Sequence, residues 1–400
     1  MTIELASVET FVLRLPARRD FRWLSLSRPL GEVVLARITD TDGLIGWGEV
    51  VALRDWGDVD GRRHGETSAS VTAIVHEQLV PALLERPLLL GDLGARLDAA
   101  ILGNPYAKAL LDIALHDLAG RRTGVPVHDL LGGRARACVH VAHMLGLMDD
   151  DETLSEARAA VAEDGVTALQ VKGGADPVRD IRIIAALRRE LGPDVMLRVD
   201  ANGGYRTRSL ARQTLIGLAE AGADLVEQPL LGLNDLAEVR HDSPLPIIAD
   251  EACWTPCDAL NLVAARAVDA LSVYVGKPGG IAPARAVCSI AAAARLPHDL
   301  NGALELGIGN AANLHVAFAS PAELLPCVVP VNGPAGGGAT RTAGRYFEDD
   351  IVVHAFAYAG GALLPNDEPG LGIEVDLDKV ERYCVSRRTS DRRTAAEVQS

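Results

Sequence analysis

From about residue 135 onward the chain repeats one unit, a short apolar run followed by a helix-like stretch. The runs are CVHVAHM, ALQVK, VMLRVD, LVEQP, PIIAD, ALSVYV and LPHDL, and helical patterns fill 152–164, 177–191, 207–221, 234–240, 256–266 and 281–294. Successive runs lie about 20–30 residues apart, room for a strand and a right-handed crossover helix. Such units make a parallel sheet, and roughly seven of them favour closure into a barrel over an open sheet. The glycine fingerprint of an open dinucleotide-binding sheet is missing near the first strand.

The stretch ahead of the repeat reads differently. Residues 3–15 alternate apolar and polar, 32–39 is the β-rich run EVVLARIT, and Asp42-Gly43 turns into LIGWGEV as a hairpin. Then 66–85 and 92–120 carry apolar residues three and four apart, most clearly in GNPYAKALLDIALHDLAGRRTG. A sheet followed by helices predicts an α+β domain. After about 325 the chain turns Gly/Pro-rich (VNGPAGGGATRTAG), which predicts a loop and a returning segment. The polar end SRRTSDRRTAAEVQS predicts a frayed tail.

Composition excludes several classes. Acids outnumber bases 54 to 39, for a net charge of −15, which argues against a nucleic-acid partner. No apolar run approaches the roughly 18 residues of a membrane span, and MTIELASVETFVLRL lacks a secretory pattern, so a cytoplasmic protein is expected. Six cysteines are too few for a disulfide scaffold, and Cys253 and Cys257 have no second pair with which to hold zinc.

The predicted strands end in Lys172, Asp200, Glu227, Asp250 and Asn301. In a barrel those ends share one face, where catalytic groups sit. Asp often caps a following helix, but three acids on three consecutive strands point to one place. Three carboxylates make a hard, all-oxygen site suited to Mg²⁺. Beside such an ion, Lys172 in LQVKGG can act as a base.

In these elements the chain resembles the enolase superfamily, specifically the mandelate racemase and muconate lactonizing enzyme group. The helix YAKALLDIALHDLAGRRTGVPVHDLLGG, then VKGGADP, RVDANGGY, VEQPL, ADEACW, KPGGI and LELGIG, follow in that family's order. The resemblance implies an α+β capping domain (1–132), a modified (β/α)7β TIM-type barrel (133–324) and a C-terminal segment (325–400) returning to the cap. It implies Mg²⁺ on Asp200, Glu227 and Asp250, and Lys172 as the base that removes the proton α to the carboxylate of a small acid, giving a metal-stabilised enediolate. It also implies a homo-oligomer, dimer or octamer.

Set against the family pattern, the second strand reads Gln170-x-Lys172 where Lys-x-Lys is common, so a helper cation is gone and the Lys172 pKa should sit higher. On the sixth strand Tyr274 stands where a Lys or Asp is usual, and Lys277 lies just past the strand. Asn301 occupies the position of a racemase histidine, and His298 and Asp299 lie nearby. Glu323, in AELLP, resembles the eighth-strand acid that binds the substrate carboxylate, and Asn202 and Asn301 are expected to line the site. The resemblance also implies two specificity loops over the barrel mouth, here Arg18–Pro29 and Ala52–Gly65, which hold Arg19, Arg22, Trp23, Trp56, Arg62, Arg63 and His64.

Three chemistries fit. A dehydratase needs Lys172 and an acid, Tyr274 or Lys277. A racemase or epimerase needs one of those two facing Lys172. A cycloisomerase needs one proton donor and electrostatic help. Tyr274 favours dehydration or epimerisation over lactonisation. A non-catalytic binding protein on the same scaffold is the contrasting class, and retention of Lys172 with all three carboxylates argues for the enzyme.

Overall fold

Two glycines on one strand decide how the first domain packs. In the computed structural model, which describes residues 2–18, 22–24, 26, 31–57, 64–302, 304–329 and 346–392, strands Leu5–Leu13, Val33–Asp40 and Ile45–Val50 form an antiparallel meander. Helix Pro105–Thr123 lies against it. A Cβ at Gly46 would stand 2.3 Å from the Ala114 carbonyl oxygen, and one at Gly48 2.1 Å from that of Leu110. Only glycine lets the helix backbone come this close. The expected hairpin is present: Asp40 Oδ1 accepts from the amides of Asp42 (3.0 Å) and Leu44 (2.8 Å), and Gly43 takes φ 85°.

The helical run at 92–120 is two helices, Leu93–Ala100 and Pro105–Thr123. Gly103 and Asn104 between them adopt left-handed φ values of 71° and 55°, and Pro105 opens the second helix. Residues Tyr106 to Gly120 are all buried, because this helix is enclosed by the sheet on one side and barrel helices on the other. Its Asp112 Oδ1 accepts the Ile281 amide at 2.5 Å, capping barrel helix Ile281–Ala294.

Seven parallel strands follow in sequence order: Ala142–Leu145, Ala168–Lys172, Met196–Asp200, Leu225–Glu227, Ile247–Ala249, Ala270–Val273 and His298–Leu300. The ring closes through a short eighth segment. Leu324 bridges His298 and Cys327 bridges Val141, both parallel. The intervening helices fall where the apolar spacing puts them, at Asp150–Asp164, Pro177–Leu191, Arg208–Ala221, Leu233–Asp242, Pro256–Ala264 and Ile281–Ala294. One further helix, Gly307–Ala319, is buried along its whole length.

The chain end corrects the sequence reading. Cys384–Asp391 is a strand, paired antiparallel with Leu5–Leu13 at the edge of the capping sheet. Its polar residues are the edge's own chemistry: Arg387 pairs with Glu9 (2.7 Å) and Arg388 with Glu77 (2.9 Å). Residues 393–400 of the expected frayed tail lie outside the described residues. Among the described residues no helix is long and apolar enough to cross a membrane.

Candidate active site

Lys172, Asp200 and Glu227 are the last residues of three neighbouring strands, and the ladder pairs Lys172 with Asp200 and Asp200 with Glu227. Asp250 follows strand Ile247–Ala249 directly. A period-2 strand in register must therefore present all four at one rim. They line a cavity of about 60 Å³ together with Gln170, Asn202, Ser272, Tyr274 and Asn301. Trp23, Leu53 and Trp56 from the first domain wall it off and also border a hollow of about 340 Å³ that reaches Arg14, Glu32 and Arg54. Lys172 Nζ sits 5.6 Å from the Trp23 ring centroid.

The carboxylates are turned onto donors. Lys172 Nζ donates to Asp200 Oδ2 at 2.5 Å, Gln170 Nε2 to Glu227 Oε2 at 2.8 Å, and Lys277 Nζ to Asp250 Oδ1 at 2.6 Å. Arg198 lies beneath, 3.3 Å from Glu227 Oε2 and paired with Asp299. Burial alone would lower the Lys172 pKa, but Asp200 and Glu227 hold the ammonium above its usual value. Burial, then the Asp200 charge, pushes Glu227 well above the carboxylate range, and burial with Asp250 pushes Glu251 up to about 8.

Lys277, expected as one candidate for the second face, is withdrawn from the cavity. Its side chain is 0% exposed, and its Nζ also donates to the carbonyls of Asp250 (3.0 Å) and Ser272 (2.8 Å). An ammonium has three donors, and all three are spent. Tyr274 does line the cavity. Its ring sits between Trp56 (centroids 5.9 Å) and Tyr106 (6.4 Å), and its phenol lies against Glu305. Asn202, at φ 42°, donates to Asp200 Oδ2 (3.3 Å) and Glu251 Oε1 (3.0 Å). Asn301 reaches the cavity but uses its amide to tie strands, donating to Ser272 Oγ and accepting from the Val328 amide, both at 2.8 Å.

Glu323 requires correction. Its carbonyl accepts the His298 amide at 3.0 Å, at the start of the seventh strand, and its side chain is exposed. That is the end of the barrel opposite the cavity. Glu305, just before helix Gly307–Ala319, is instead the buried acid that adjoins Tyr274 and Tyr106. The signal for it was in LELGIG, and that for Glu251 in ADEACW. His298 is buried at the far end, with Nε2 2.6 Å from Ser320 Oγ. Of the loop residues, Arg22 and His64 are exposed, Trp23 and Trp56 wall the cavity, and Arg19, Arg62 and Arg63 lie outside the described residues.

Three strand-end carboxylates with no nitrogen or sulfur among them suit Mg²⁺ by donor type. Among the described residues no three acidic, His or Cys groups are already gathered at ligand spacing, since each carboxylate faces an ammonium or an amide. The crowding that raises Glu227 is what a dication relieves.

Comparison with known proteins gives a consistent answer. Residues 9–132 match the family model "Mandelate racemase / muconate lactonizing enzyme, N-terminal domain", and 152–380 match "Enolase C-terminal domain-like". Muconate cycloisomerase 1 of Rhodococcus opacus is 31% identical over 387 residues, covering 95% of this chain and 98% of that one. The N-succinyl-L-Arg/Lys racemase of Bacillus cereus is 27% identical over 386 residues, covering 96% and 98%. The crystal structure of N-succinyl Arg/Lys racemase from Bacillus cereus superposes with a TM-score of 0.85 at 26% identity, over 97% of this chain and 100% of that one.

Proposed function

The chain belongs to the enolase superfamily, in its mandelate racemase and muconate lactonizing enzyme group, and from that premise we propose that Lys172 removes the proton α to the carboxylate of a small acid at a site holding Mg²⁺ on Asp200, Glu227 and Asp250. The observation that carries this is the convergence of one lysine and three carboxylates on one cavity at the barrel's carboxyl rim. Bound there, Mg²⁺ supplies positive charge against the negative charge that develops on the substrate carboxylate.

The residues divide the work by position. Lys172 Nζ, in its neutral form, takes the α proton, and the enediolate that results is the species the site must favour. Asn202 holds Asp200 and is itself held by Glu251, and Gln170 and Arg198 hold Glu227. Trp23, Leu53 and Trp56 exclude water from the mouth, which strengthens every charge interaction below them. Glu305, buried beside the cavity-lining Leu304 and against Tyr274, would take the role that the sequence offered to Glu323.

The outcome is dehydration or racemisation/epimerisation. A second reading, cycloisomerisation, is favoured by the similarity to a muconate cycloisomerase and needs only the one proton donor that Lys172 supplies. A mass scan in D₂O with Mg²⁺ tests the set on sugar acids, hydroxy acids, amino acids and their N-substituted forms. Deuterium gain at unchanged skeleton indicates proton exchange, and loss of water indicates dehydration. Lys172→Ala should abolish either signal, and full turnover in that variant would remove Lys172 as the base. Asp200→Asn or Glu227→Gln should weaken Mg²⁺ binding measured by calorimetry, and unchanged binding would refute the metal assignment.

A further inference from the structure

We infer that the substrate is a betaine, a carboxylate whose α carbon bears a fully alkylated ammonium, seated with that cation against Trp23 and Trp56. The inference rests on the proton-abstraction reading and supplies its substrate class.

Charge is the first reason. Among the described residues that line the cavity, Lys172 is the single cation, and Asp200, Glu227 and Asp250 are three anions. To take a proton, Lys172 must itself be uncharged. Lys277 is turned away, with its Nζ on Asp250 and the Ser272 carbonyl, and Arg198 is held by Glu227 and Asp299. Gln170, Asn202, Ser272, Tyr274 and Asn301 complete the polar lining and are neutral. More acids stand behind them, with Glu251 and Glu305 both buried. One dication on three carboxylates leaves a negative remainder, and a substrate carboxylate adds to it. No described residue of these walls then offers positive charge to Cα as its proton leaves. A cation carried on Cα supplies that charge. The C–H bond breaks, the proton passes to Lys172 Nζ, and the electron pair left on Cα lies beside a fixed positive charge.

The walls are the second reason. Two indole rings there already hold ammonium groups, with Lys172 Nζ 5.6 Å from the Trp23 centroid and Lys277 Nζ 5.7 Å from that of Trp56. The Tyr274 ring stands 5.9 Å from Trp56. Between these rings Leu53, Met144, Leu304 and Val328 present side chains with no strong hydrogen-bond acceptor. A primary ammonium moved there from water would leave N–H groups unsatisfied. A fully alkylated nitrogen has none to satisfy and draws its attraction from the π faces. Its alkyl groups can extend into the hollow of about 340 Å³ past Trp23 and Trp56. That hollow suits a second carboxylate poorly, because its arginines are matched by acids, Arg14 by Glu32 at 2.6 Å and Arg54 by Asp55 at 3.6 Å.

A matched pair of ligands isolates the charge. N,N,N-trimethylalanine and 2,3,3-trimethylbutanoate share one shape, and only the first has a positive nitrogen at the branched atom. Calorimetric titration of the Mg²⁺-loaded wild-type protein should show the betaine bound at least about tenfold more tightly, as a desolvated cation over indole faces allows. No binding of the betaine, equal affinity for the pair, or tighter binding of cis,cis-muconate than of the betaine would overturn the inference. Trp23→Leu and Trp56→Leu keep an apolar wall. Each should narrow the gap by about threefold or more while the neutral acid's affinity stays within about twofold, and a gap that survives both would overturn the seat assigned to the cation. Deuterium uptake at Cα of the same two ligands in D₂O, read by NMR, addresses the other premise. Preferred binding of the betaine with no exchange would sink the proton-abstraction reading and leave the cation preference standing. Exchange on the neutral acid with no preference for the betaine would sink the inference and leave the proton-abstraction reading standing.

Discussion

Lys277→Met separates a buried anchor from a second-face base. The wild-type ammonium is completely buried and pairs with Asp250 Oδ1 at 2.6 Å. Removing one partner of a buried pair costs about 3–5 kcal/mol. The Asp250 side chain keeps 12% exposure, so water still reaches it and the lower end, about 3 kcal/mol, applies. Unfolding entropy is about 2.1 cal/mol/K per residue, and over 400 residues it makes this loss a fall in Tm of about 4 °C. In Mg²⁺ the gap should narrow, because a dication can replace the ammonium as counter-charge to Asp250 and ligand binding adds its own stabilisation. The assay is scanning calorimetry of both proteins in EDTA and in Mg²⁺. A variant melting within 1 °C of wild type in EDTA, with turnover abolished, would refute the reasoning and return Lys277 to the face of the substrate.

Gly48→Ala places a Cβ 2.1 Å from the Leu110 carbonyl oxygen, and overpacking of this kind should cost about 1–3 kcal/mol or more in chemical denaturation; an unchanged midpoint would mean that the helix can step back from the sheet. His76 bonds Thr10 Oγ1 and Ser390 Oγ, both at 2.8 Å, and burial pushes its pKa down to about 4. A histidine lowered on folding contributes stability present above its unfolded pKa of about 6.5 and lost as pH falls toward 4, at up to about 1.4 kcal/mol per pH unit. His76→Asn should flatten that acid limb in Tm measured from pH 7 to 4.5, and parallel curves would count against it. Asp350 shows the opposite sign. Burial pushes it up to about 7 while it accepts the amides of Gly307, Ile351 and Val352, so its ionisation costs stability as pH rises from about 4 to 7. Asp350→Asn keeps an acceptor oxygen, and its Tm relative to wild type should improve over that interval; a constant offset would show that Asp350 does not titrate there.

The barrel was legible because its units announce themselves twice, by apolar runs at even spacing and by a polar residue ending each run. Helix Gly307–Ala319 was not, because burial on every side leaves no polar face to set a period. The Cys384–Asp391 strand failed for the converse reason, since an edge strand faces water and reads as a tail. In the site, Lys172, Asp200, Glu227 and Asp250 were readable as strand ends. Lys277 was readable as a residue near the site and not as a sealed one. Its position depends on Gly279 and Gly280, at φ 101° and 133°, turning the chain so that the Gly280 amide meets the Val275 carbonyl. Glu323 reads as the eighth-strand acid because it adjoins that segment, but the segment runs from Leu324 toward Val328 and leaves Glu323 at the wrong end.

The first domain does more than cover the barrel. Glu49, on its third strand, accepts the amides of Leu306 (2.5 Å) and Gly309 (2.8 Å), and so caps the barrel helix that follows Glu305. Burial pushes Glu49 well above the carboxylate range, with Asp350 and Glu305 adding to it. A carboxyl placed there despite that cost is held by the helix amides it satisfies. The same stretch of chain continues a few residues on into Leu53 and Trp56, the near wall of the cavity. Glu66 does likewise at the other helix, accepting the amides of Tyr106 and Ala107, and the Tyr106 ring packs tilted against that of Tyr274. The near wall, the far wall at Leu304 with Glu305 beside it, and the Tyr274 ring are thus tied to one sheet. A substitution that loosens the capping sheet should therefore disturb Tyr274 and Glu305 before it reaches Lys172, whose own strand pairs only with barrel neighbours.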